Sequence, residues 1–185
     1  MTSALAPEWE TTTWLNTPEP LTLAKLRGRV VVVHAFQMLC PGCVARGLPQ
    51  AMRVAEAFSS APLTVVGLHT VFEHHDGMGL ASLRAFLHEY RITFPVGVDA
   101  PGPDGDPIPR TMKAYAMRGT PTTLLIDAEG HLRQQVFGAH DDLLLGASIA
   151  RLLFEAEHDT RASQRDANAN ATPGARACDD QGCRV

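Results

Sequence analysis

Four cysteines stand in this 185-residue chain as two close pairs, Cys40-Pro41-Gly42-Cys43 and Cys178-Asp179-Asp180-Gln181-Gly182-Cys183. Thiols so spaced do redox chemistry or bind metal. In the first pair, the two intervening residues let the second sulfur reach back to the first. A Cys40 thiolate is placed to attack a substrate disulfide, and Cys43 to resolve the mixed disulfide that forms. Zinc or copper is the competing use, because thiolates ligate both well. A lone CxxC leaves the two uses open, and its place in the fold separates them. The second pair has four residues between its cysteines, one of them Gly182, and can close a small disulfide ring. It can exchange with the first pair as a relay, or the two pairs can share one zinc ion.

Several elements must position these groups. Val30-Val31-Val32-Val33-His34-Ala35-Phe36 is an apolar run dominated by β-branched residues, the pattern of a strand buried on both faces of a parallel sheet. A helix is expected from about Cys43 to Phe58, interrupted at Gly47 and kinked by Pro49, which lacks a backbone donor. Cys40 then lies at a helix N-terminus, where free N–H groups and the helix dipole favour a thiolate. Leu63–His69 reads as a second buried strand, Leu80–Tyr90 as a helix, and Phe94–Val98 as a short strand at an edge because of Pro95. A Pro/Gly/Asp-rich loop over Ala100–Pro109 leads to a short helix over Thr111–Met117. Thr122–Ile126 and Leu132–Phe137 flank Asp127-Ala128-Glu129-Gly130 and read as a β-hairpin. Asp141-Asp142 caps a last helix with an apolar face of Leu143, Leu144, Ile149, Leu152 and Leu153, fading near His158. Ahead of all this, Thr11–Leu15 and Leu21–Leu26 form a small hairpin or an irregular cover.

This order predicts an α/β domain over residues 1–158, with 1–28 an N-terminal extension. Its centre is a mixed sheet flanked by helices on both faces. Residues 159–185 lack large apolar side chains except the final valine, the composition of a flexible tail. From Asp159 to Cys178 such a tail has an r.m.s. reach of about 25 Å. A core of this size has a radius of gyration near ~15 Å, so the tail pair comes within reach of Cys40.

Several stretches together resemble the thioredoxin-like superfamily, in its TlpA/ResA-like redoxin branch. They are Val30–Phe36 with Cys40–Cys43, Val65–Glu73, Tyr90–Val96 and Gly119–Asp127, spanning about residues 20–155. The resemblance implies a thioredoxin-like fold and a protein-disulfide oxidoreductase. It implies a cis-proline at Pro121 beside the CxxC, with the Thr120 backbone pairing with an extended substrate peptide. His34 lies six residues before Cys40, where thioredoxins carry a buried acid that helps deprotonate the resolving thiol. A histidine there can serve as the base, or can be a core histidine bonded to nearby backbone. Glu73 stands where this branch often has an acid near the site; it is a proton-transfer group or a solvated loop residue. Two departures stand out. Leu39 replaces the aromatic residue usual before the first cysteine, and the segment from Cys43 to Pro49 is one residue longer than the usual pattern.

Other classes are disfavoured. The net charge of -4 and scattered Lys and Arg provide no basic stripe for nucleic acid. No segment has the ~18–20 apolar residues of a membrane span, and the first ten residues do not read as a secretory signal, so the expectation is cytoplasmic. His69, His74 and His75 are polar-loop residues rather than a metal cluster, and the reading assigns no resident cofactor or metal. A thiol peroxidase would need a threonine three residues before its cysteine and a proline further upstream; Gln37 and Val33 stand there. The alternatives to an oxidoreductase are thus a zinc- or copper-binding thioredoxin-fold module and a thiol peroxidase. The expected partners are a protein or small-molecule disulfide and a thiol donor such as a thioredoxin system or glutathione.

Overall fold

Four successive valines make β2 (Val30–Phe36) the axis of the molecule, and every residue of this strand is buried. The computed structural model describes residues 4–170. β2 pairs in parallel with β3 (Leu63–His69), and β3 in parallel with β4 (Val96–Asp99). On its other side β2 pairs antiparallel with β5 (Thr122–Ile126), which forms a hairpin with β6 (Leu132–Phe137). With β1 (Thr11–Leu15) the sheet order is β1-β4-β3-β2-β5-β6. The two βαβ crossovers, through α1 (Leu48–Ala57) and α2 (Leu80–Glu89), cover one face together with α4 (Asp142–Asn170). The N-terminal segment and α3 (Arg110–Ala114) cover the other, where Trp9, Leu23, Leu26, Met112 and Tyr115 pack on the odd-numbered valines of β2. This is the expected mixed sheet with helices on both faces.

Two elements depart from expectation, and a third takes one of its two expected forms. Leu21–Leu26 is the irregular cover and not a hairpin with β1; it ends in a single 3-10 turn at Ala24–Leu26, and β1 joins the sheet beside β4. As a result β4 is internal. Pro95 precedes the strand and offers only its carbonyl, which accepts from Gly67 N–H at 2.9 Å, so its missing donor interrupts no ladder. The last helix continues to Asn170, twelve residues past His158. Those residues include Ala162, Arg161 and Gln164, good helix formers that need no buried face, and Arg161 pairs with Glu157 one turn back at 3.6 Å. Amphipathicity therefore marks where this helix leaves the core, not where it ends. Among the described residues no helix is long and apolar enough to cross a membrane.

The three parallel strands all point their carboxyl ends at one edge of the sheet. The cysteine motif follows β2 there, and open α/β sheets bind ligands at that edge.

Candidate active site

Beyond Phe36 the chain turns sharply, with Cys40 N–H donating to the Gln37 carbonyl at 3.2 Å. The helix then starts at Pro41, where the absent N–H of proline is no loss. The first turn aims its unsatisfied donors outward, and Cys43 N–H lies 3.4 Å from Cys40 Sγ. The Cys40 thiol in turn donates to the Thr120 carbonyl at 3.6 Å. The Thr120–Pro121 peptide bond is cis, as the resemblance implied. Pro121 packs on the motif closely: a Cβ on Gly42 would stand 3.3 Å from Pro121 Cδ and 4.0 Å from Cys40 Sγ.

The two thiols occupy unlike surroundings. Cys40 is half-buried, whereas Cys43 is fully buried, and both are free. Burial pushes the Cys43 thiol up to about 12, and its hydrogen bond with Cys40 adds to the rise. The Gln37 backbone and the Thr120 side chain oppose it by favouring the thiolate. Gln37 is itself buried; its amide nitrogen lies 3.5 Å from Thr120 Oγ1, and its amide oxygen has no partner. Sequence reasoning placed Gln37 only as a missing threonine. Its part in linking the two cysteines to Thr120 became visible only when β2 and β5 were paired.

The extra residue after Cys43 is absorbed by a π-helical turn over Cys43–Gly47, after which α1 begins with Pro49 in its first turn. One inserted residue converts α to π pairing locally, so the interruption expected at Gly47 and Pro49 takes the form of this π turn. The turn carries Gly47 onto His34. A Cβ on Gly47 would stand 2.3 Å from His34 Nε2 and 3.2 Å from Pro121 Cβ. His34 is 2% exposed; Nδ1 lies 3.5 Å from Thr123 Oγ1, and Nε2 has no partner. Burial lowers its pKa to about 4, so the ring is neutral at pH 7. His34 also lines a cleft of about 420 Å³ beside Gly47, Gln50 and His140, the last with a second buried unpartnered nitrogen, Nδ1.

The other sequence candidates lie elsewhere. Glu73 is exposed in the loop between β3 and α2, with no hydrogen bond or ion pair to either cysteine. His74 and His75 are exposed in the same loop, whereas His69 is buried at the end of β3. Among the described residues no three His, Cys, Asp or Glu side chains are grouped to hold a metal ion. Leu39 is exposed beside the motif, 3.3 Å from where a Cβ on Gly77 would stand. Cys178 and Cys183 lie outside the described residues.

The profile of the AhpC/TSA family matches residues 3–135, a span that takes in the motif, the cis-proline and most of the β-hairpin. The chain belongs to the AhpC/TSA family. It is a redoxin with a thioredoxin-like fold, similar to solved structures of the same kind. A thioredoxin-like superfamily protein is 60% identical with a TM-score of 0.78, over 80% of this chain and 96% of that one. A thiol-disulfide isomerase from Corynebacterium glutamicum is 47% identical with a TM-score of 0.76, again over 80% and 96%. Protein DipZ of Mycobacterium bovis is 30% identical over 161 residues, which are 83% of this chain and 21% of that protein. NHL repeat-containing protein 2 of Bos taurus is 27% identical over 165 residues, 86% of this chain and 22% of that protein. The chain thus spans about a fifth of the length of these curated relatives.

Proposed function

We propose that the protein is a thiol–disulfide oxidoreductase of the TlpA/ResA-like kind that works through Cys40 and Cys43. The asymmetry of the pair carries this reading: one thiol is reachable at a helix N-terminus beside Thr120, and the other is buried against it with its proton held tightly. In the reductive direction Cys40 thiolate attacks a substrate disulfide, forming a mixed disulfide and releasing one substrate thiolate. Cys43 then loses its proton and attacks Cys40 Sγ. The Cys40–Cys43 disulfide forms, the second substrate thiol leaves, and two electrons have passed to the substrate. The Thr120 backbone is placed to align an extended substrate. His34, a buried neutral base on β2, would take part in moving the Cys43 proton, and its cleft would connect that proton to solvent. A thiol donor, such as a thioredoxin system or glutathione in the cytoplasm, would restore the dithiol.

The tail pair enters this scheme under a geometric condition. α4 starts beside His34, with Gln50 bonded to Asp142 at 2.5 Å, and passes the beginning of β6, where Arg133 meets Glu155 at 2.7 Å. Its 29 residues carry the chain about 44 Å along the helix axis, away from the motif. Thirteen extended residues from Asn170 to Cys183 span about the same length. A relay inside one chain therefore requires those residues to run almost fully extended back along α4, or the end of α4 to unwind; a relay to a second copy requires neither.

The test is the reduction potential of Cys40–Cys43 on a Cys178→Ser/Cys183→Ser background, with metal content and peroxide turnover measured in parallel. A reversible two-electron couple below about -230 mV in metal-free protein supports a reductase, and one above about -180 mV an oxidant or isomerase. No couple with metal retained, or fast peroxide turnover, overturns the reading in favour of a metal module or a peroxidase.

A further inference from the structure

A second cleft opens on the same edge of the sheet, on the far side of Cys40 from Thr120. Its volume is about 430 Å³, within the range of ligand pockets. It lies at the carboxyl ends of β3 and β4, between the loop that leads to α2 and the loop that leads to α3. Val71, Met78, Leu80, Val98 and Pro107 give it apolar walls. Its walls are preformed. A Cβ on Gly102 would meet the Asp106 and Ile108 carbonyl oxygens at 2.4 and 2.5 Å, so the second loop is folded tightly on itself.

Both carboxylates that line this cleft are committed. Asp99 accepts from Thr70 Oγ1 at 2.9 Å, Thr111 N–H at 2.8 Å and Met112 N–H at 3.0 Å. Asp106 accepts from Ile108 N–H and pairs with Lys113 at 2.7 Å. Two histidines also line it: His75 is exposed, whereas His69 is 1% exposed and leaves Nε2 buried with no partner. Burial lowers this ring to about 4, so it is neutral at pH 7. A buried imidazole nitrogen left unpaired is unfavourable, and a ligand supplying one hydrogen bond relieves this. The Asp99 and Asp106 carboxylates disfavour an anion, and because both already hold their donors, neither is left unpaired for a cation.

The cleft is also close to the redox motif. His69 pairs with Phe36 in the β2–β3 register, with ring centroids 5.3 Å apart, and Cys40 follows four residues later. Gly77, on the loop that carries Met78, abuts Leu39. A substrate residue two or three positions from the attacked cysteine lies about 7–10 Å along an extended chain, and a side chain there would extend toward this neighbouring cleft.

We propose that the His69 cleft is a specificity pocket for a neutral, mainly apolar side chain that presents one hydroxyl, the chemistry of a tyrosine in the disulfide substrate. The choice of substrate as occupant rests on the oxidoreductase reading; the pocket's preference for a neutral hydroxyl does not. The ring fills the apolar walls and its hydroxyl pairs with His69 Nε2. The pocket would then set which disulfides are reduced, while Cys40 and Thr120 engage any of them.

The test uses the full-length reduced protein with p-cresol as probe and toluene as control. Titration of p-cresol should shift the His69 imidazole signals and the amide signals of Val71, Met78 and Val98 saturably, with toluene bound about tenfold more weakly because it leaves Nε2 unpaired. His69→Leu should abolish that preference, and Leu80→Ser, at the exposed rim, should weaken both probes while leaving the fold intact. Disulfide peptides with tyrosine two or three residues from cysteine should then be reduced about tenfold faster than their serine counterparts by the wild type, and no faster by His69→Leu. Absence of saturable shifts, or equal binding of p-cresol and toluene to the wild type, overturns the pocket. If p-cresol binds as expected but no peptide is reduced, the pocket stands and both the oxidoreductase reading and the tyrosine substrate fall.

Discussion

Gly47→Ala probes the joint between the central strand and the redox helix. The added methyl would stand 2.3 Å from His34 Nε2, 2.4 Å from His34 Cε1 and 3.2 Å from Pro121 Cβ. The ring is buried between Thr123 and the π turn, and shifting it toward the adjacent cleft would break its contact with Thr123. Forcing a methyl into such packing costs about 1–3 kcal/mol. Against this, alanine is favoured over glycine in a helical turn by about 0.5–1 kcal/mol. The net expectation is a loss of about 1–2 kcal/mol, or a fall in Tm of about 3–6 °C for a chain of this length. With His34→Ala the main obstacle is gone and the propensity gain stands against only the milder Pro121 contact at 3.2 Å, so Gly47→Ala becomes neutral to stabilising. The two sites therefore couple by about 2 kcal/mol, measured as a double-mutant cycle from urea unfolding of the four reduced proteins at pH 7. If Gly47→Ala changes stability by the same amount in both backgrounds, His34 is not what the glycine accommodates, and the account of the π turn fails.

Three further outcomes are expected. His34 and His69 are both lowered from 6.5 to about 4, so between those pH values the unfolded chain takes up a proton on each ring that the native protein does not. Their contribution to stability is complete above pH 6.5, is lost as pH falls, and levels off below about 4, amounting to about 3 kcal/mol per ring. Urea unfolding from pH 7 to 4.5 should show a shallower acid loss in His34→Leu or His69→Leu; an unchanged slope refutes it. Iodoacetamide at pH 8 should label Cys40 and leave Cys43 untouched, because a thiol near 12 is about 10⁻⁴ thiolate at that pH and is buried. Cys43→Ser should accordingly accumulate a mixed disulfide on gels, and Cys40→Ser should not. Asp99→Ala removes the acceptor of the Thr111 and Met112 N–H groups at the start of α3 and should cost about 2–3 kcal/mol in the same unfolding assay.

Much of this architecture is local enough to read along the chain. The valine run of β2, the spacing of Leu80, Leu83 and Leu87 in α2, and the Asp127–Gly130 turn each announce an element through its own periodicity. The cysteine motif was legible for the same reason, since its meaning depends on the strand before it and the helix after it. β1 was misjudged because pairing partners are not local: Thr11–Leu15 lies beside Val96–Asp99, more than eighty residues away, rather than beside its sequence neighbours. Glu73 and His34 were both named from the sequence. One points to solvent, and the other is sealed behind a glycine, because loop exposure and helix contact are set by packing that composition does not record.

The sequence by itself determined the chemistry on offer: two thiols at the start of a helix, a Thr-Pro pair ahead of a hairpin, and a sheet of mixed direction. These follow from residue type and short spacing, which act within a few residues of backbone. Only the tertiary structure decided which thiol is reachable, since burial separates Cys40 from Cys43 and raises one of them. It also decided that His34 and His69 keep unpartnered nitrogens in two separate clefts. Desolvation and hydrogen-bond satisfaction belong to the set of groups brought together, and strands and helices distant in the chain supply that set.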